Sequence, residues 1–129
     1  MSKRILIADD DAKIANMLTE TVSIEGYAAF TTTSSLRFYD AVQEHLPHLV
    51  LLDFMMPYLD GYDELRLMKL DPKTAHIPVI IVTAFQEIMA REAELRQLGV
   101  VAILLKPLDI VALNDLIRRT IGEPQGVTR

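Results

Sequence analysis

The segment ILIADDD, residues 5–11, runs four apolar side chains straight into Asp9, Asp10 and Asp11. Another acid, Asp53, closes the apolar stretch HLVLLD (48–53). VIIVT (79–83) ends in the hydroxyl of Thr83, and VAILLKP (101–107) carries the amine of Lys106. Close carboxylates repel: one pair costs about 4 kcal/mol at a separation of about 4 Å and an effective dielectric of about 20. A hard dication removes that cost. Carboxylate oxygens with open water positions suit Mg²⁺, which commonly bridges carboxylates and phosphate. A point positive charge from Lys106 and a hydroxyl from Thr83 complete a set that complements a tetrahedral phosphoryl group held beside one acid. Taken singly, several of these residues have plainer explanations. Asp11 fits the acidic first turn of a helix, Thr83 an ordinary strand end, and Lys106 a solvated charge. Asp53 is different, because an acid directly after HLVLL is costly to bury unless something pairs it.

These groups act together only if the chain brings four distant segments to one place. Short apolar runs at 4–9, 27–33, 48–53, 79–83 and 101–107 alternate with stretches of helical period. Over 11–25 the residues Ile14, Met17, Leu18, Val22 and Ile24 recur at helical spacing, and Gly26 supplies the stop. Ser34 or Ser35 can cap a second helix that reaches about His45 before Pro47. Asp60-Gly61 opens a third, with Leu65, Met68 and Leu67 facing inward. A fourth covers 87–98 up to Gly99, and Asp109 caps a fifth reaching about Ile121. The segment 71–78 is loop. Five strands alternating with five helices predict an α/β fold with one parallel sheet, helices on both faces and central strands buried on both sides. In such sheets ligands bind beyond the carboxyl ends of the strands. Asp9-Asp10, Asp53, Thr83 and Lys106 all stand at those ends. If the strand order is 2-1-3-4-5, they meet in one shallow pocket.

Composition narrows the chemistry. The 129 residues favour one domain, here 1–121, with 122–129 as a tail or the start of a linker. The net charge of −5 argues against non-specific nucleic-acid binding and favours a cation or a partner with a basic face. The absence of cysteine removes disulfides, thiol catalysis and cysteine-ligated zinc. His45 and His48 straddle Pro47, so they share no helical face, and with His76 they form no metal-type cluster. The apolar run after Arg4 is too short for a signal peptide or membrane span, which makes a cytoplasmic protein the expectation.

The pieces ILIADDD, LLDFMMPYLDGYD, VIIVTAF and LLKPLD, in this order and at these separations, resemble the receiver domain of bacterial two-component response regulators over 3–121. The resemblance implies a five-stranded parallel sheet of order 2-1-3-4-5 and a phosphorylation switch, not a classical enzyme. Asp53 would accept a phosphoryl group from a sensor histidine kinase, a histidine phosphotransfer protein or a small acyl phosphate. Asp10 and Asp53 would ligate Mg²⁺ with the backbone carbonyl of Met55, and Asp9 would act mainly through a metal-bound water. Thr83 would hydrogen-bond the phosphoryl oxygens. Lys106 would pair with them and precede a cis bond to Pro107, while Pro57 and Gly61 would shape the loop after Asp53. A downstream target or output domain is implied, with the last two strands and helices as the face for targets or a homodimer. Ile14 and Met17, nearest the pocket, are candidates to dock a phosphodonor helix.

The chain departs from the family pattern in three places. Ile103 stands where receivers usually carry Tyr or Phe, so an aromatic switch is not expected. Gly99-Val100 replaces the usual Gly-Ala. Met55 and Phe85, two residues after Asp53 and Thr83, are bulky and apolar at positions that commonly tune dephosphorylation. Three rival readings fit these residues less well. An aspartyl-nucleophile phosphatase wants a threonine where this chain has Lys13. A flavodoxin-like cofactor binder wants a phosphate cradle where three aspartates would repel phosphate. A receiver-like module that works without phosphorylation finds support in Ile103 but not in the intact set of Asp9, Asp10, Asp53, Thr83 and Lys106.

Overall fold

The computed structural model describes residues 2–56 and 60–125. In chain order the elements are β1 (Arg4–Ala8), α1 (Ala12–Ile24), β2 (Ala28–Thr32), α2 (Phe38–His45), β3 (Leu49–Leu52) and α3 (Gly61–Leu70). After them come β4 (Val79–Thr83), α4 (Glu92–Gln97), β5 (Val100–Leu105) and α5 (Ile110–Ile121), with single 3₁₀ segments at Ser35–Arg37 and Gln86–Arg91. All neighbouring strands are parallel and their order is β2-β1-β3-β4-β5, as expected.

Strand side chains alternate between faces, so a strand covered on both sides must be apolar at every position. Ile5, Ile7, Leu49, Leu51, Ile80 and Val82 pack one way, against Leu18 and Val22 of α1 and Leu113 and Ile117 of α5. Leu6, Val50, Leu52 and Ile81 pack the other way, against Phe38 of α2, Leu65 of α3 and Leu95 of α4. Each fully buried Leu or Ile contributes about 1.5–3 kcal/mol. This two-sided burial makes the frame rigid enough to hold polar groups at the strand ends.

Asp11, Asp60 and Asp109 each accept backbone N–H bonds at the start of α1, α3 and α5, where a cap is worth about 1 kcal/mol. The other two helices start differently from expectation. Helix α2 begins at Phe38, after the first 3₁₀ segment, with Arg37 and not Ser34 or Ser35 at its N-cap position. The fourth helix is 3₁₀ from Gln86 to Arg91 and α-helical only over Glu92–Gln97. Phe85 offers no side-chain oxygen to the first free N–H groups, and the Ile88 amide turns to the Phe85 carbonyl in the tighter i→i+3 pattern. In α1 the buried residues are Ala15, Leu18 and Val22, whereas Ile24 is 81% exposed and Met17 41%. Leu67 also lies outward.

Helix α2 ends on Leu46 in the left-handed region, φ 42°, with its N–H on the Val42 carbonyl. A side chain in that conformation costs about 1–2 kcal/mol, which glycine avoids at some entropic cost. Leu46 is partly exposed, so truncation loses little burial. Leu46→Gly is therefore expected to stabilise the fold by about 0.5 kcal/mol, read as a raised urea midpoint at unchanged slope.

The described part of the tail, 122–125, lies against the start of β1. The Lys3 amide donates to the Pro124 carbonyl at 2.7 Å, and Ser2 pairs antiparallel with Gln125. Pro57 and residues 126–129 lie outside the described residues. The histidines are apart in role: His45 stacks on Phe30, His48 accepts the Arg4 amide, and His76 is exposed. Among the described residues no helix is long and apolar enough to cross a membrane.

Candidate functional site

The backbone ladder continues one residue past the strands and thereby aligns their polar ends. Ala8 lies opposite Leu52 in the β1–β3 register, and the Asp53 amide donates to the Ala8 carbonyl at 2.8 Å. Asp9 and Asp53 are thus set side by side. Thr83 closes β4 opposite Leu105, and the Lys106 amide donates to the Thr83 carbonyl at 2.8 Å. The strand ends that carry Asp9, Asp53, Thr83 and Lys106 are neighbours in the sheet.

Asp9 is 1% exposed, Asp53 7% and Thr83 0%, while Asp10 is open to solvent. The Lys106 ammonium donates to Asp9 Oδ2 at 2.8 Å and to Asp53 Oδ2 at 3.1 Å, so it bridges the two buried acids. The remaining oxygens are held by backbone: Asp9 Oδ1 accepts the Asp11 amide at 2.9 Å, and Asp53 Oδ1 accepts the Met55 amide at 3.0 Å. Thr83 Oγ1 accepts the Phe85 amide at 3.2 Å, which leaves its proton available as a donor. Burial pushes the Asp9 carboxyl above its ordinary value, outweighing the hydrogen bonds from Lys106 and Asp11 that pull it down. Burial also pulls the Lys106 ammonium down, but its hydrogen bonds to Asp9 and Asp53 and their charges hold it above its usual range. The two shifts reflect unequal burial: Asp9 is closed off, whereas the lysine side chain keeps some contact with solvent.

Carboxylate oxygens of Asp9, Asp10 and Asp53 all lie within 4.8 Å of one another. Lys106 offsets one of the three charges, and a dication matches the two that remain. The exposed Asp10 leaves room for the waters that Mg²⁺ retains. The donor set therefore fits the metal. Met55 follows on the exposed side, 55% open, and Phe85 is 36% open. The peptide between Lys106 and Pro107 is cis.

Two contacts were not legible in the strand-end pattern. One is the direct Lys106–Asp9 bond, which joins residues 97 apart in sequence. The other is Phe54, whose ring lies where a side chain on residue 61 would be: a Cβ at Gly61 would stand 2.2 Å from it. Gly61 is thus the one residue type that lets α3 start against the residue following Asp53, and the Phe54 ring then meets Tyr62 edge-on at 5.1 Å.

Comparison with known proteins agrees with this geometry. The family model described as response regulator receiver domain matches residues 5–118. The sporulation initiation phosphotransferase F of Bacillus subtilis is 37% identical over 120 residues, covering 92% of this chain and 94% of the relative. The polar-differentiation response regulator DivK of Brucella ovis is 31% identical over 123 residues, covering 95% and 99%. Among solved structures, the receiver domain of a sensor histidine kinase from Pseudomonas aeruginosa superposes with a TM-score of 0.81 at 21% identity, covering 95% of this chain and all of that one. That structure is described with a magnesium ion coordinated in its active-site cleft. Sequence, sheet order and site geometry converge on one conclusion: this chain belongs to the response regulator receiver domain family, the signalling domain of two-component systems.

Proposed function

We propose that Asp53 is the phosphoacceptor of a Mg²⁺-dependent switch. The observation that carries this reading is the placement of Asp53. Its Oδ2 lies 3.1 Å from the Lys106 ammonium, in a cluster with Asp9 and Asp10 and beside the end of β4 that bears Thr83. The donor is a phosphohistidine of a sensor kinase or phosphotransfer protein, or a small acyl phosphate. An Asp53 oxygen attacks phosphorus, and a new P–O bond forms as the bond to the leaving group breaks and its electron pair departs with that group. Lys106 pairs with the phosphoryl oxygens and the Thr83 hydroxyl donates to them. Asp9, Asp10, Asp53 and the Met55 carbonyl hold Mg²⁺, which neutralises carboxylate and phosphoryl charge when bound. The Bacillus relative, named a phosphotransferase, and the magnesium in the Pseudomonas structure support this assignment.

A phosphoryl group adds a charge of roughly −1.5 to −2 if it behaves as on serine. Its pull on Thr83 and Lys106 biases the backbone that follows β4, which turns a local charge into a surface change. Ile103 packs against the core beside α4 and brings no ring to that movement. The signal is read by protein contact in the cytoplasm, through the face built of α4, β5 and α5, and not by binding of this domain to nucleic acid.

The test is intact mass after incubation with acetyl phosphate, with and without Mg²⁺. A single phosphoryl adduct that needs the metal supports the reading. No adduct under either condition, together with no binding of beryllofluoride, would leave a receiver-like module that works without phosphorylation. Met55 and Phe85 set the lifetime of the adduct by hindering the attacking water. Met55→Asn combined with Phe85→Glu is expected to shorten the phosphoryl half-life by about tenfold, roughly 1.4 kcal/mol of barrier. An unchanged half-life would count against that role.

A further inference from the structure

At the amino ends of the strands, opposite Asp9 and Asp53, lies a cavity of about 370 Å³. It is lined by Lys3 and Arg4 at the start of β1, by His48 before β3, and by Lys73 and His76 before β4. No acid lines it. In a chain of net charge −5, five basic groups around one hollow stand out from the background. Among the described residues none of the five belongs to an ion pair.

A plainer role accounts for part of the cluster. The Arg4 guanidinium donates to the carbonyls of His45 and Leu46 at the end of α2, both at 2.9 Å. The Lys3 ammonium donates to the Ile121 carbonyl at the end of α5. A helix end carries only about half a unit of negative charge, however, so two full cations leave a positive excess there. Among the described residues the side chains of Lys73 and His76 have no such partner. They stand three apart on the loop 71–78, which is wound by amide bonds from Thr74 and Ala75 to the Asp71 carbonyl and from Ile77 to the Thr74 carbonyl. Thr74, 1% exposed, pins that loop by donating its hydroxyl to the Met68 carbonyl at 2.6 Å. Asp71, whose charge acts on Lys73, already accepts from Tyr39, Gln43 and the Lys73 amide.

The positive excess is felt inside the cluster. Burial, and then the charges of Arg4, Lys3 and His76, hold the His48 imidazole below its usual value. The ring is also oriented: its Nδ1 accepts the Arg4 amide at 2.9 Å, which leaves Nε2 to carry the proton and act as donor. The rest of the lining is apolar, with Pro47 and Ile77 forming part of the wall. A bare anion would leave that wall unused, and the volume falls at the lower end of the range of about 300–1,000 Å³ that small-ligand pockets span.

We propose that this cavity binds a small organic phosphate. Its phosphate faces Lys73, His76 and the cations at the start of β1, and its ring or apolar portion lies against Pro47 and Ile77. The test is an NMR titration of amide signals in the full chain without Mg²⁺, using AMP, inorganic phosphate and adenosine as probes. Lys73 and His76 are exposed, so the variant Lys73→Glu with His76→Glu keeps the fold. AMP is expected to move the amides of residues 3, 4, 48 and 73–77 saturably, inorganic phosphate to move the same amides about tenfold more weakly, and adenosine to leave them still. The double variant is expected to weaken AMP binding by at least about tenfold. Four results would overturn the proposal: no saturable movement with AMP, movement confined to the amides around Asp53 and Thr83, phosphate binding as tight as AMP, or a double variant that binds AMP as well as the parent.

Discussion

Asp53→Asn is expected to abolish the phosphoryl adduct completely and to leave the fold standing. The amide has the shape of the carboxylate but no anionic oxygen to attack phosphorus. The cost to stability is small because two effects oppose. Asp53 now accepts on both oxygens, from the Met55 amide and from the Lys106 ammonium. An asparagine can serve only one of those donors with its oxygen and must turn its NH₂ toward the other. Losing one such bond costs about 1 kcal/mol. Against that, one of three clustered acidic charges disappears, which relieves repulsion on Asp9 and Asp10. The two effects nearly cancel, so the urea midpoint moves little. The informative comparison is intact mass after acetyl phosphate with Mg²⁺, parent against variant. A persisting adduct in the variant would move the acceptor elsewhere, Asp9 and Asp10 being the neighbouring carboxylates, and the assignment of Asp53 would be withdrawn.

Much of this site was legible because of where polar residues interrupt apolar runs. A parallel strand buried on both faces has no alternation, so the first polar residue after Leu52, or after Ala8, marks the point where the chain leaves the core. The carboxyl ends of all such strands point the same way, and proximity in space follows from topology alone. The caps at Asp11, Asp60 and Asp109 were readable for a similarly local reason, since a side-chain oxygen and the N–H groups it serves lie within three residues. What could not be read depends on distance or on shape. The bridge from Lys106 to Asp9 is a choice among several acids that only side-chain geometry settles. Ile24 has the right spacing for a core residue yet falls in the last turn of α1, where it is 81% exposed. Ala15, small enough to escape notice, takes a core position in its place. The fit of Phe54 over Gly61 is a matter of one ring's placement that no periodicity records.

Lys106→Met is expected to lower stability by about 3 kcal/mol at neutral pH, because it leaves Asp9 and Asp53 buried without their counter-charge. The pH dependence separates this cause from simple loss of packing. In the parent, burial holds Asp9 above its ordinary value of 3.8, so the folded state binds that proton more readily than the unfolded chain. Stability linked to this group is therefore highest in acid and falls as pH rises from 3.8 through the raised folded value. Lys106 has the opposite sense. Its folded value lies above 10.5, so its contribution is fully present below 10.5 and is lost as pH rises through that folded value. Replacing the lysine removes the hydrogen bond and the charge that pull Asp9 down, so the Asp9 window extends further upward. The deficit of Lys106→Met should then shrink on acidification, and Lys106→Met with Asp9→Asn should recover most of it at neutral pH. Urea unfolding from about pH 4 to about pH 9 on the parent, both single variants and the double reads all of this. If the deficit were the same at every pH and the double variant no more stable than Lys106→Met, then the lysine would act through its aliphatic stem. The Lys106–Asp9 bridge would then not be what holds the acids together.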